Sequence, residues 1–113
     1  MIIKEGINKI RDLLNTNLTK GQNGTGTTTV SEEDSGLDVA IGSTLKTLTT
    51  NLGDKVITTT HQLTTTDAND LSLTEFENQF STGETLIRIR HTPITKDNTK
   101  ELNFIVTYEI SGE

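Results

Sequence analysis

The sequence predicts a mainly β protein, a small antiparallel β-sandwich with one N-terminal α-helix. Apolar and polar residues alternate in several short runs, which is the pattern of half-buried strands. Turn residues recur every 8 to 12 positions or so, as they do in small sandwiches. Roughly one residue in five is threonine, whose β-branch favours strands. Because the chain has 113 residues of which 30% are apolar, its core is thin, and we expect neighbouring subunits to add stability.

The chain begins with an amphipathic pattern. Residues 1–20 are predicted to form a helix, because apolar side chains recur there at helical spacing. The stripe consists of Ile3, Ile7, Ile10 and Leu14. Residues 21–36 are rich in Gly and Thr and are predicted to be a connector, with GTG at 24–26 as a flexible turn. Residues 37–113 are predicted to be the antiparallel β domain.

Within the β domain, the clearest strands are predicted at 55–63 and 71–80. The second of these changes its apolar spacing after Leu73, which indicates a bulge. The run 37–41 alternates briefly. The run 45–52 fits either a strand or a short helix, and the sequence leaves both open.

Two further strands are predicted near the C-terminal end. The first ends at Thr92-Pro93, because proline cannot donate a hydrogen bond to a ladder. The second spans 102–110. The polar segment ITKDNTKE between them predicts a hairpin.

Composition excludes several function classes. The formal net charge of −6 argues against a duplex nucleic-acid binder, which needs a basic face. No run approaches the roughly 20 apolar residues of a membrane span, and Met1-Ile2-Ile3 is followed at once by charge, unlike a signal peptide. The absence of cysteine excludes disulfides and thiolate metal sites.

Motifs with possible chemistry are incomplete. GTG has no following Walker lysine, and the segment 67–70 lacks the glycine and glutamate of an EF-hand, so both are predicted to be turns. The acidic residues of 32–38 are predicted to lie in a solvated loop. His61 and His91 fall on separate strands with no third ligand at zinc spacing. The sequence therefore predicts no catalytic, metal or cofactor-binding residue, and a protein that is not an enzyme.

Arg88 and Arg90 alternate on one strand, so their side chains leave the same face about 7 Å apart. Arginine is common at subunit boundaries because its planar guanidinium group binds a carboxylate through two hydrogen bonds at once. A contact across a subunit boundary is one interpretation. An ion pair within the chain, with Glu75, Glu77 or Glu109, is the other.

The order of short motifs resembles small structural proteins of tailed bacteriophages, in particular the N-terminal module of tail-collar fibre proteins and their stand-alone relatives. The segments that carry the resemblance are EGINKIRDLL, GTGTTTVSEEDSGLD, the Thr-Glu-Phe step at 74–76, STGETL, IRIRHTPITK and ELNFIVTYEI. The resemblance implies a virion component that acts by its position in a multimer.

We therefore expect a non-enzymatic virion structural protein of a tailed virus, assembled in the host cytoplasm as a trimer or another cyclic homo-oligomer. It would sit on the tail, baseplate, neck or capsid surface, where it binds itself and other virion proteins, with no nucleic acid, membrane or cofactor. The alternative is a module that binds carbohydrate or another surface ligand. The predicted partner-binding residues are Ile3, Ile7, Ile10, Leu14, Arg88 and Arg90.

Overall fold

The computed structural model describes residues 1–111 and has the fold that the sequence predicts, an antiparallel β-sandwich with one α-helix. Its elements in chain order are α1 Lys4–Asn17, β1 Leu18–Gly24, a single 3-10 turn Gly42–Thr44, β2 Lys46–Thr47, β3 Thr49–Gly53, β4 Val56–Leu63, β5 Leu71–Phe80, β6 Thr85–Lys96 and β7 Leu102–Glu109. One sheet has the order β2-β1-β5-β6 and the other the order β3-β4-β7. All neighbouring strands are antiparallel.

The core between the sheets is small and partly polar. Along β4 the burial alternates, as predicted, with Ile57 and Leu63 fully buried together with Thr59 and His61. On the facing sheet, the Phe76 ring stacks on Phe104 with their centroids 5.1 Å apart. Polar side chains thus share the interior with apolar ones.

The predicted boundaries of the helix and the connector are wrong, because strand β1 lies across them. Residues 18–24 were assigned by sequence to the helix end and the connector, yet they form a strand between β2 and β5. Gly21 was the misleading signal, because it predicted a break. It lies within the strand instead, and the His61 ring packs against it. A Cβ at Gly21 would meet His61 Cδ2 at 2.8 Å. Glycine within a strand here marks a close approach rather than a turn.

The C-terminal hairpin prediction is also wrong. Strand β6 continues through Pro93 to Lys96, because β6 is the last strand of its sheet and proline is tolerated at an edge. Its pairing with β5 shifts register between Leu73 and Glu75, which confirms the predicted bulge. After Lys96 the chain crosses to the other sheet, where β7 pairs with β4 instead of β6.

The segments that the sequence left less defined resolve into short pieces. The run 45–52 forms β2 and the start of β3, the strand alternative. The run 37–41 contributes only an isolated bridge between Ala40 and Gly24. The segment 67–70 is a turn, as predicted, in which an Asp67 carboxylate oxygen accepts from the Thr64 backbone N–H at 2.8 Å.

Helix α1 docks on the turn between β3 and β4. Ile7 is buried, and the Asn8 side-chain oxygen accepts from the Lys55 backbone N–H at 2.8 Å. The Arg11 guanidinium donates to the Gly53 carbonyl at 2.6 Å. These polar contacts fix the rotation of α1 about its own axis.

Replacing Gly21 by alanine should destabilise the fold by about 1 to 3 kcal/mol, because the new methyl group overpacks the His61 ring. Urea unfolding measures the loss. Gly42→Ala is the matched control, since a Cβ at Gly42 meets nothing within 4 Å. Its stability should stay within about 0.5 kcal/mol of the parent. Equal effects of the two substitutions would contradict the proposed close packing at Gly21.

Candidate functional site

Glu75 is a fully buried carboxylate on the outer side of β5. Its Oε2 accepts from the backbone N–H groups of Gly26 at 2.7 Å and Val39 at 2.9 Å. Its Oε1 accepts from the Asp38 backbone N–H at 2.8 Å and from Arg88 Nε at 2.9 Å. Four donors therefore hold one carboxylate, and three of them belong to the loop between β1 and the 3-10 turn.

Arg88 extends this network from β6. Its side chain is 3% exposed, and one terminal nitrogen donates to Asp34 Oδ2 at 3.0 Å. The other donates to the carbonyl and hydroxyl oxygens of Thr28 at 3.0 and 3.2 Å. We call Glu75, Arg88 and Asp34 the charge cluster. It ties the 25–39 loop to both β5 and β6.

The GTG sequence is explained by the charge cluster. A Cβ at Gly24 or Gly26 would lie 2.5 or 2.4 Å from Glu75 Oε2, so neither position accepts a side chain without displacing the carboxylate. The Thr74 hydroxyl also donates to the Gly26 carbonyl. The GTG segment thus lies in close contact with β5, and the prediction of a flexible turn is wrong.

The charge cluster stays ionised. Burial raises the pKa of Glu75, but the hydrogen bonds from Val39, Asp38, Arg88 and Gly26 outweigh it and leave that pKa below its usual value. The backbone N–H of Ser31 and then Arg88 lower the pKa of Asp34. Since four donors already occupy both Glu75 oxygens, the arrangement is suited to fastening a loop and poorly suited to moving a substrate proton.

A second polar group lies between the sheets. His61 is fully buried, and its Nε2 lies 2.7 Å from the Thr44 carbonyl, which can only accept, so Nε2 carries a proton and donates it to this bond. Within residues 1–111, His61 Nδ1 and both side-chain polar atoms of Asn23 are buried without a hydrogen-bond partner. Burial lowers the pKa of His61, although the bond to Thr44 opposes that shift.

The described residues contain neither a metal-binding cluster nor a helix suited to a membrane. Among residues 1–111, no three His, Cys, Asp or Glu side chains are grouped so as to hold a metal ion. No helix in the same range has the length and apolar character needed to cross a membrane.

The residues predicted to bind partners occupy different environments. Ile7 and Arg88 are buried in the chain's own fold, and Arg88 forms the internal pair with Glu75 that the sequence left as an alternative. Ile3 and Ile10 are 63% and 43% exposed. Leu14 is half-buried and Arg90 is exposed. The structure therefore leaves Ile3, Ile10 and Arg90 accessible to a partner.

The sequence analysis gave Glu75 only as one of three possible internal partners of the arginines and placed Asp34 in a solvated loop. The available signal was an acid in the middle of a strongly buried strand, together with a Gly-x-Gly segment and an arginine on a neighbouring strand. These three features meet only because of the sheet order, which local sequence patterns do not give.

Comparison with protein-family models, with curated proteins and with solved structures found no match to this chain. The resemblance to tail-collar modules stays a prediction.

Arg88→Met should cost about 3 to 5 kcal/mol, because it leaves the buried Glu75 carboxylate without its charged partner. Against a typical total of about 5 to 15 kcal/mol, such a loss brings the protein near its unfolding threshold. Arg90→Met is the matched control on the same strand and should change stability by no more than about 0.5 kcal/mol, since Arg90 is exposed. Urea unfolding of both variants checks this, and similar losses would contradict the pairing.

Acidification should destabilise the protein first through His61. Its folded-state pKa lies below the ordinary value of 6.5, so the unfolded chain binds a proton that the folded chain does not. The stability contributed by neutral His61 is complete above pH 6.5 and is lost as the pH falls toward the lower folded-state pKa. Urea unfolding at pH 7.5, 6.5 and 5.5 measures the slope. The slope should disappear in His61→Phe and persist in His91→Gln. A slope that persists in His61→Phe and disappears in His91→Gln would contradict the prediction.

Proposed function

We propose that this chain is a non-enzymatic structural protein that forms a homo-oligomer, a trimer or another cyclic species, in the particle of a tailed virus. It would lie on the tail, baseplate, neck or capsid surface and contact other virion proteins as well as its own copies. The chain would act by binding its neighbours at a fixed place in the particle.

The observation that carries this proposal is the distribution of apolar residues. In residues 1–111, twelve large apolar side chains are at least 37% exposed, whereas eight apolar residues are buried. Single exposed apolar residues are ordinary, whereas neighbouring ones favour burial against other subunits, and Ile3, Ile10 and Leu13 lie along one side of α1. Association would supply the apolar burial that the small core lacks.

The edges of the sandwich support the same proposal. Strands β6 and β7 each end a sheet, and the inward-facing residues of β7 are only half-buried. Ile89 on β6 and Ile105 on β7 are 41% and 63% exposed. A long edge strand with exposed apolar side chains is a template for pairing with another chain.

The virion setting is supported by the sequence resemblance alone. Three of its segments, GTG, Thr-Glu-Phe and IRIR, supply Gly26, Glu75 and Arg88 of one hydrogen-bond network. Carbohydrate binding has weaker support. Sugar platforms generally use exposed aromatic rings, and the chain's Phe76, Phe80, Phe104 and Tyr108 are all buried or half-buried.

The recombinant chain should have the native mass of a discrete oligomer at micromolar concentration, as measured by native mass spectrometry and light scattering. Virus particles purified from cells that produce this chain should also contain its peptides in a stoichiometric amount. A folded, soluble monomer over this concentration range would overturn the self-association. Absence of the peptides from the particles would overturn the virion assignment.

A further inference from the structure

The segment between β1 and the 3-10 turn is closed at its base by backbone bonds. The Thr25 backbone N–H donates to the Val39 carbonyl at 2.9 Å, and the bridge between Gly24 and Ala40 lies beside this bond. Beyond the base, residues 26–38 have no strand or helix of their own. They form an Ω-loop, which is a surface loop whose two ends lie close together. We call residues 26–38 the strap.

The strap buries little apolar surface. Of its residues, only Gly26 is buried, Gly36 and Leu37 are half-buried, and the others are exposed. Hydrophobic stabilisation is roughly proportional to the apolar area removed from water, so it contributes little here. Hydrogen bonds must therefore hold the strap on the sheet.

Those hydrogen bonds converge on two charged side chains. Glu75 accepts the backbone N–H groups at both ends of the strap, and Arg88 donates to oxygen atoms in its middle. The Thr74 hydroxyl, which donates to the Gly26 carbonyl, makes the one further hydrogen bond between the strap and a strand among residues 1–111. One ion pair thus fastens nearly the whole strap.

We propose that the strap opens as a unit when the Glu75 carboxylate loses its charge, while both sheets stay folded. An ionised carboxylate only accepts hydrogen bonds, whereas a protonated one carries a hydrogen that needs an acceptor. All four groups that surround the Glu75 oxygens are donors, so the protonated form cannot keep every bond. It also no longer offsets the buried charge of Arg88, and opening returns that charge to water.

The charged groups that face Glu75 come from β6, the strap and β5 itself, and they are Arg88, Arg90, Asp34, Asp38 and Glu77. Strand β1 adds no charge, because its residue opposite Glu75 is Gly24. Burial raises the pKa of Glu75, yet its hydrogen bonds keep that pKa below the ordinary value of 4.5. The stability of the closed strap is therefore complete above pH 4.5 and is lost as the pH falls through the lower folded-state pKa.

Opening would uncover a polar strip on the outer face of β5 and β6. Glu75, Glu77 and Arg88 are only 0%, 2% and 8% exposed while the strap is closed. The backbone of the strands beneath them is paired within the sheet, so the strip can meet water without loss of the ladder. The strap therefore acts as an acid-released cover over three ionisable side chains.

Glu75→Gln tests the proposal at pH 7.5, where it removes the charge, keeps the shape of the side chain and leaves His61 unprotonated. Amide exchange at Gly26 and Asp38, followed by NMR, should become at least about tenfold faster, because each N–H loses a hydrogen bond to a charged group. Amides of β4 and β7, which form the other sheet, should exchange as in the parent.

Glu77→Gln is the matched control. Glu77 lies on the same face of β5 and is also buried, but its hydrogen bond goes to the Thr85 hydroxyl instead of the strap. The exchange of the Gly26 and Asp38 amides should therefore stay at the parent rate. Equal acceleration in the two variants would overturn the assignment of the contact to Glu75.

Limited proteolysis tests whether the strap opens as one unit. A Glu-specific protease should cut after Glu32 or Glu33 at least about tenfold faster in Glu75→Gln than in the parent, because cleavage follows the population of the open form. Strap amides as protected in Glu75→Gln as in the parent would overturn the proposal. Loss of protection throughout β4 and β7 would overturn it too, because the sheets would then have unfolded with the strap.

Discussion

The buried ion pair between Glu75 and Arg88 is the interaction on which the rest of this structure depends. Removing two such charges from water costs several kcal/mol for each ion, and their mutual attraction offsets that cost only when the remaining hydrogen-bonding atoms are satisfied. Here the loop satisfies them, through the N–H groups of Gly26, Asp38 and Val39 and through the oxygens of Thr28 and Asp34. The ion pair and the loop therefore stabilise each other.

This dependence explains sequence choices that otherwise look like flexibility. Gly24 and Gly26 have no side chain because the Glu75 carboxylate occupies that space, and Gly21 has none because of the His61 ring. The loop residues that cover the outer side of β5 are used for hydrogen bonds to the charge cluster. Meanwhile the interior admits Asn23, Thr59, His61 and Asn78 among its fully buried residues. A chain built in this way has few apolar residues left for its core, and the proposed self-association would supply further apolar burial.

Much of the fold follows from local pattern, and the exceptions have a common cause. The amphipathic helix, the alternation along β4 and the bulge in β5 were predicted correctly, because each is encoded by neighbouring residues. Strand β1 was missed since its glycines respond to His61 and Glu75, which are distant in sequence. The hairpin prediction failed because β6 and β7, although adjacent in sequence, belong to different sheets. Arg88 appeared as an interface candidate for the same reason: only the sheet order reveals that Glu75 and Asp34 already bind it.

The proposed adhesive function fits a molecule in which Glu75 and Arg88 bond to its own loop and twelve large apolar side chains of residues 1–111 are exposed. Glu75 holds the loop against β5, and amide hydrogen exchange tests this contact most directly. The N–H groups of Asp38 and Val39 belong to exposed loop residues, yet they should exchange as slowly as those of β5, because both donate to a buried carboxylate. Exchange of these two amides as fast as those of the exposed residues 27–30, whose N–H groups donate no hydrogen bond within the described residues, would contradict the claim.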